Sequence, residues 1–104
     1  MDWKAINLHG GASISRVANI YELRDFRIPS TIYRVKVLER GSGDFLALPN
    51  VVVKNKSGDP EWTAGLGRTE LEALQDIIDR MDESLMSAER LTSEDFEWSD
   101  PRDF

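Results

Sequence analysis

Gly65-Leu66-Gly67-Arg68-Thr69-Glu70-Leu71-Glu72-Ala73-Leu74 is the stretch on which the fold turns. Thr69 is a good helix N-cap, and Glu72 completes a T-x-x-E capping box, in which each side chain satisfies a backbone N–H at the other end. Leu71, Leu74, Ile78, Met81 and Leu85 then recur at three- and four-residue spacing. That apolar stripe must lie on a sheet, with Glu70, Gln75, Asp79 and Asp82 facing water. Upstream, Tyr33, Val35 and Val37 alternate with Arg34, Lys36 and Leu38, the pattern of a strand with one buried face. Gly41-Ser42-Gly43-Asp44 makes a turn. Phe45 to Leu48 and Val51 to Lys54 form a second strand region, broken by Pro49-Asn50, which removes a ladder donor and implies a bulge, a bend or an edge. Asn55 to Pro60 is a further turn, and Glu61 to Leu66 reads as the third strand. Short connections favour an antiparallel meander. The predicted core, residues 31–88, is therefore α+β: a three-stranded antiparallel sheet packed by one C-terminal amphipathic helix, in the order β-β-β-α.

The flanks are less regular. Residues 1–30 form an N-terminal extension that is helix or strand. Trp3, Ile6 and Leu8 alternate loosely before His9-Gly10-Gly11, which suggests a short strand or an arm ending in a turn. From Ser13 to Phe26 the preferred reading is a helix, with Ile14, Val17, Ala18 and Tyr21 on one face and Ser13 or Ser15 as N-cap. Val17, Asn19, Tyr21 and Leu23 also fit a strand period. Pro29 forces Ile28 away from helical angles and closes the element. Residues 89–104 read as an acidic tail with aromatics but no periodicity, expected to be flexible unless bound. A length of 104 residues fits one domain over 1–104.

The net charge of −6 hides a division. Residues 1–68 hold ten Lys/Arg against seven Asp/Glu (+3), and residues 69–104 hold three against twelve (−9). The acidic half repels phosphate, so a nucleic-acid surface would have to use the sheet and N-terminal arm, where Arg24, Arg27, Arg34, Lys36, Arg40, Lys54, Lys56 and Arg68 reside. There is no cysteine and a single histidine, His9, which leaves no Cys/His set for zinc and no thiol chemistry. No apolar run approaches a membrane span, and the first residues lack the order of a secretory signal, so a soluble, cytoplasmic protein is expected.

Catalysis finds little support. Glu72, Asp76, Asp79 and Glu83 share one helix, where carboxylates can hold Mg2+ or act as acid and base, but a solvated face gives the same pattern. His9 has no visible nucleophile beside it. Gly65-x-Gly67 before a helix suggests a phosphate cradle, yet the later glycine is missing and the first turn is acidic. The expectation is a non-enzymatic protein with no cofactor and no metal.

Two resemblances bear on function. Phe45-Leu46-Ala47-Leu48-Pro49-Asn50, followed by Gly67-Arg68-Thr69-Glu70-Leu71-Glu72-Ala73-Leu74, resembles the HicB-type antitoxin core over roughly Tyr33 to Met81. The resemblance implies a partly degenerate ribonuclease-H-like β-β-β-α fold, self-association, and neutralisation of a small ribonuclease toxin by covering it. No ribbon-helix-helix or helix-turn-helix pattern follows Met81, so the DNA-binding segment of most such antitoxins has no counterpart. Gly65-Leu66-Gly67-Arg68-Thr69 is also similar to the last-helix turn of double-stranded-RNA-binding domains. There the helix-start lysines would reach phosphates, but Glu70, Leu71 and Glu72 stand at those positions.

Two interaction surfaces follow. An apolar edge at Val51 and Val53 offers a template for a second copy or a partner strand, hence a homodimer. Alternatively the tail docks Phe96, Trp98 and Phe104 into a basic, grooved partner, with the carboxylates between them adding attraction. An unidentified protein is thus the expected partner ahead of nucleic acid. The alternative is a nucleic-acid-binding module whose Arg34, Lys36, Lys54 and Lys56 contact phosphate.

Overall fold

A computed structural model describes residues 2–86 and 91–104. Strands β1 (Ser15–Arg24), β2 (Ile32–Arg40), β3 (Phe45–Pro49), β4 (Val51–Val53) and β5 (Gly65–Gly67) precede the helix α1 (Glu70–Met86), and β6 (Phe96–Trp98) follows it. The fold is α+β, an antiparallel sheet with one helix packed on it. The main sheet has four strands rather than three, in the order β1-β2-β3-β5, and β4 pairs with β6 in a second, two-stranded sheet.

The expected helix over Ser13 to Phe26 is instead β1, hydrogen-bonded antiparallel to β2. Val17 opposes Leu38 and Asn19 opposes Val37, so Ala18 is an extra residue on the bulged strand. That insertion breaks the period of two and makes the segment imitate helical spacing. The third strand is also shorter than expected, with only Gly65–Gly67 pairing to β3. Residues 61–64 lie outside any strand. The break at Pro49-Asn50 ends β3 and sends β4 into the second sheet. Asn50 holds the corner: its amide donates to the Arg34 carbonyl at 2.9 Å, and its side-chain oxygen accepts from the Arg34 amide at 2.8 Å.

Alternation along β2 buries Tyr33, Val35 and Val37 beneath α1 with Ala47 of β3. The helix starts as its cap predicts. The Glu72 amide donates to Thr69 Oγ1 at 3.1 Å, while the Glu72 carboxylate reaches one residue past the cap and accepts from the Arg68 amide at 2.8 Å. Its buried stripe is rotated from the expected one. Ala73, Ile77, Met81 and Leu85 are buried, Leu74 and Ile78 are half-buried, and Leu71 is 74% exposed. The cause is close approach, because α1 rests directly on the backbone of β5. A Cβ at Gly65 would stand 2.3 Å from the Ala73 carbonyl oxygen, and one at Gly67 2.5 Å from the Ala73 nitrogen. Only a side chain as small as that of Ala73 fits at this crossing.

Ile28, from the loop after β1, and Val51 extend the core beyond the end of the sheet, where Phe96 closes it. The tail is therefore not without a fixed place: β6 runs antiparallel to β4, with Val53 opposite Phe96 and Val51 opposite Trp98. An apolar β4 with an open edge needs a partner strand, and the chain supplies its own. The expected junction at Ala88 and Glu89 lies outside the described residues. No helix among the described residues is long and apolar enough to cross a membrane.

Candidate functional site

With α1 on one side, pairing register assigns the residues of the opposite face. Val17 and Leu38, Ile20 and Lys36, Leu38 and Leu46, Lys36 and Leu48, and Leu46 and Leu66 are cross-strand partners, so these side chains share the face turned away from the helix. Val17, Ile20 and Leu66 are each about half exposed. The sheet thus has one covered face and one that stays largely open.

The C-terminal segment lies across the middle of that open face. Ser99 anchors it by donating its amide to the Asn50 carbonyl at 2.9 Å. Asp100 caps the short 3-10 turn Pro101–Asp103 by accepting from the Arg102 amide at 2.9 Å. Lys36 Nζ then donates to the Asp103 carbonyl at 2.5 Å and stands 4.9 Å from the centre of the Phe104 ring. Grooves open on two sides of this strap. One, of about 350 Å3, has walls of Trp62, Trp98 and Phe104 with Asp100 and Asp103. The other, of about 410 Å3, lies between Ile20, Arg34, Trp98 and Phe104.

The residues expected to bind a partner are therefore split. Trp98 and Phe104 come together at the grooves, and Trp98 is 40% exposed. Phe96 and Val51 are buried, so a partner would reach them only by displacing β6, whereas Val53 packs against the same core but is only half-buried. The edge of β4 that was to recruit a second copy is occupied by β6. Trp62, about half exposed, lies in the loop before β5 rather than in the strand expected over Glu61 to Leu66, and the sequence gives no sign that this loop meets the C-terminal segment.

The four basic residues of the nucleic-acid reading come from two parts of the chain, β2 and the stretch after β4. Arg34 and Lys36 share the open face, but the chain's own C-terminal segment engages Lys36, and Arg34 lies 3.9 Å from Glu22. Lys54 and Lys56 follow β4, with Lys54 3.9 Å from Glu97. At the Gly65-x-Gly67 turn the amides that would cradle a phosphate already have partners. Leu66 N donates to Asp76 Oδ2 at 2.9 Å and Arg68 N to Glu72. The adjoining hollow is lined by Asp44 and Glu72 together with Arg68, so it is not a purely cationic cradle. These glycines serve helix packing, and the Asp76 and Glu72 carboxylates cap the outer edge of β5.

The helix carboxylates are structural partners in the same sense. Asp76 also accepts from Arg80 at 3.1 Å, and Asp79 accepts from Gln75 at 2.8 Å. Glu70, expected to face water, instead ties the helix start to β1: its carboxylate accepts from the Tyr21 hydroxyl at 2.6 Å and from the Asn19 amide at 2.5 Å. Among the described residues no three of His, Cys, Asp and Glu are grouped to hold a metal ion. His9 is exposed, beside the turn at Gly10.

These bonds set an acid dependence. Tyr21 and Asn19 hold Glu70 below the ordinary carboxylate range, and its bond to Glu70 raises the Tyr21 phenol. Lys4 and Arg16 lower Glu39, Arg27 lowers Asp25, and the Leu66 amide with Arg80 lowers Asp76. Arg40, helped by Ser42, takes Asp44 down to about 2. A carboxylate with a lowered folded pKa binds fewer protons folded than unfolded, so its stabilisation is full above the unfolded value of about 4 and disappears as pH falls through the folded value. Urea midpoints should be flat from about pH 7 to about pH 5 and fall between about pH 4 and pH 2. Added salt should reduce the drop, because the pairs are exposed.

Comparison with protein-family models, curated proteins and solved structures finds no match.

Proposed function

We propose that this chain is a non-catalytic protein-binding module whose partner covers the open face of the sheet. The observation that carries the reading is that apolar face, bearing Val17, Ile20 and Leu66 half exposed in a chain with net charge −6. The HicB-like resemblance extends the proposal to an antitoxin or inhibitor that covers a nucleic-acid enzyme. An acidic chain with an apolar, aromatic-edged face complements the basic surface of such an enzyme. The occupied amides at Gly65–Arg68 and the internal use of Lys36 favour a protein over nucleic acid as ligand.

Affinity capture from native lysate, with and without nuclease, tests this when the wild type is run beside Ile20→Lys and Leu66→Lys. Both positions are half exposed, so the melting temperature should stay within a few degrees. The expected result is a stoichiometric, nuclease-resistant protein partner retained by the wild type and lost from both variants. Capture that vanishes with nuclease would reassign the face to nucleic acid. Undiminished capture by both variants would remove the open face from the reading.

A further inference from the structure

The groove between Trp62 and Trp98 has a composition that the packing of the fold does not require. It is lined by Trp62, Trp98, Phe104 and Leu48, and by two acidic residues, Asp100 and Asp103. Among the described residues no lysine or arginine lines it, although Lys36 and Arg34 are near neighbours on the same face. Trp62 is 49% and Trp98 40% exposed, so both rings present surface to a ligand. Among the described residues no hydrogen bond or ion pair engages the Asp103 carboxylate, and the one bond to the Asp100 carboxylate comes from the Arg102 amide. Phe104 already holds a cation, Lys36, outside the groove.

From this geometry we infer that the groove receives an arginine side chain projecting from the partner protein. Aromatic faces attract cations through their quadrupole, with tryptophan the strongest, and Asp100 and Asp103 add negative charge with no counter-ion among the described lining residues. Guanidinium fits better than ammonium. It is planar and weakly hydrated, stacks on indole, and offers its edge to a carboxylate in a two-bond pair. The volume of about 350 Å3 lies within the ~300–1,000 Å3 of sites that take small ligands, and the groove is open to solvent, as a projecting side chain requires. The inference deepens the protein-binding reading and rests on it for the source of the arginine.

The test is an NMR titration of the intact chain with the capped tripeptide acetyl-Gly-Arg-Gly-amide, following the indole N–H signals of Trp3, Trp62 and Trp98. Capped peptides with citrulline or lysine in place of arginine run in parallel. The expected result is a saturable shift of Trp62 and Trp98 with an apparent Kd of about 1–10 mM, the strength of one side chain, while Trp3 stays unmoved. Asp103→Asn and Trp62→Leu should each weaken binding by about fivefold or more with the amide spectrum otherwise preserved. No saturable shift, an equal response to citrulline or lysine, or unchanged binding in both variants would overturn the assignment. Failure here with capture still abolished by Ile20→Lys would sink the groove alone. A working groove with undiminished capture in the face variants would sink the open-face reading alone.

Discussion

Gly65→Ala is expected to lower the melting temperature by about 12 °C or more. The added Cβ would lie 2.3 Å from the Ala73 carbonyl oxygen, 2.6 Å from the Ile77 nitrogen and 2.9 Å from Ile77 Cβ. Two of these atoms are backbone, so no rotamer change relieves the contact. The helix must rise off β5, which loosens the packing of the side chains that α1 buries, from Ala73 to Leu85. Overpacking costs about 1–3 kcal/mol when flexible side chains give way, and a rigid helix against a strand belongs at or above the upper end. At about 4–8 °C per kcal/mol for a domain of this size, thermal unfolding followed by circular dichroism resolves the effect easily. Gly11→Ala is the control, since nothing lies within 4 Å of a Cβ there and its φ is ordinary. A Gly65→Ala protein melting within a few degrees of the Gly11→Ala protein would mean that α1 sits farther from the sheet.

The glycine pair also explains what was legible in the sequence. Signals that act within a few residues read correctly: the Thr69 and Glu72 cap, the alternation of Tyr33, Val35 and Val37, and the break at Pro49-Asn50. Signals settled by distant partners did not. Large apolar residues drew the expected stripe through Leu71 and Leu74, but the approach of α1 to Gly65 and Gly67 gives the innermost place to Ala73. The bulge at Ala18 hid the period of β1, an edge strand with so few buried side chains that pairing with β2 decides its conformation. A three-residue strand such as β6 has no period to read, and its existence depends on the open edge of β4. For the candidate site, composition alone picked out Trp98 and Phe104. Trp62 becomes visible only when the loop before β5 is brought against the C-terminal segment, 36 residues after Trp62 at Trp98.

Phe96→Ala separates a C-terminal segment that only docks a partner from one that is part of the core. A docking segment held ready for a partner would tolerate the change with its melting unaltered. A phenylalanine 4% exposed, packed in the same core as Ile28, Val51, Met81 and Leu85, would not. Truncating a buried phenylalanine costs about 3–5 kcal/mol through lost transfer energy and the cavity left behind, so the melting temperature should fall by at least about 12 °C. Phe96→Leu fills most of that space and should restore more than half of the loss. Trp98→Ala should cost far less, because that ring stands 40% exposed at the groove. The contrast between positions two residues apart on β6 isolates burial from aromatic character. It also bears on binding. Phe96 anchors β6, β6 places Trp98 opposite Val51, and Ser99 carries the chain from there to Asp100 and Asp103. Phe96→Ala should therefore abolish the arginine-peptide response together with stability, whereas Trp98→Ala should abolish the response and leave the fold intact. Unchanged melting in Phe96→Ala would return the segment to solvent and dissolve the groove with it.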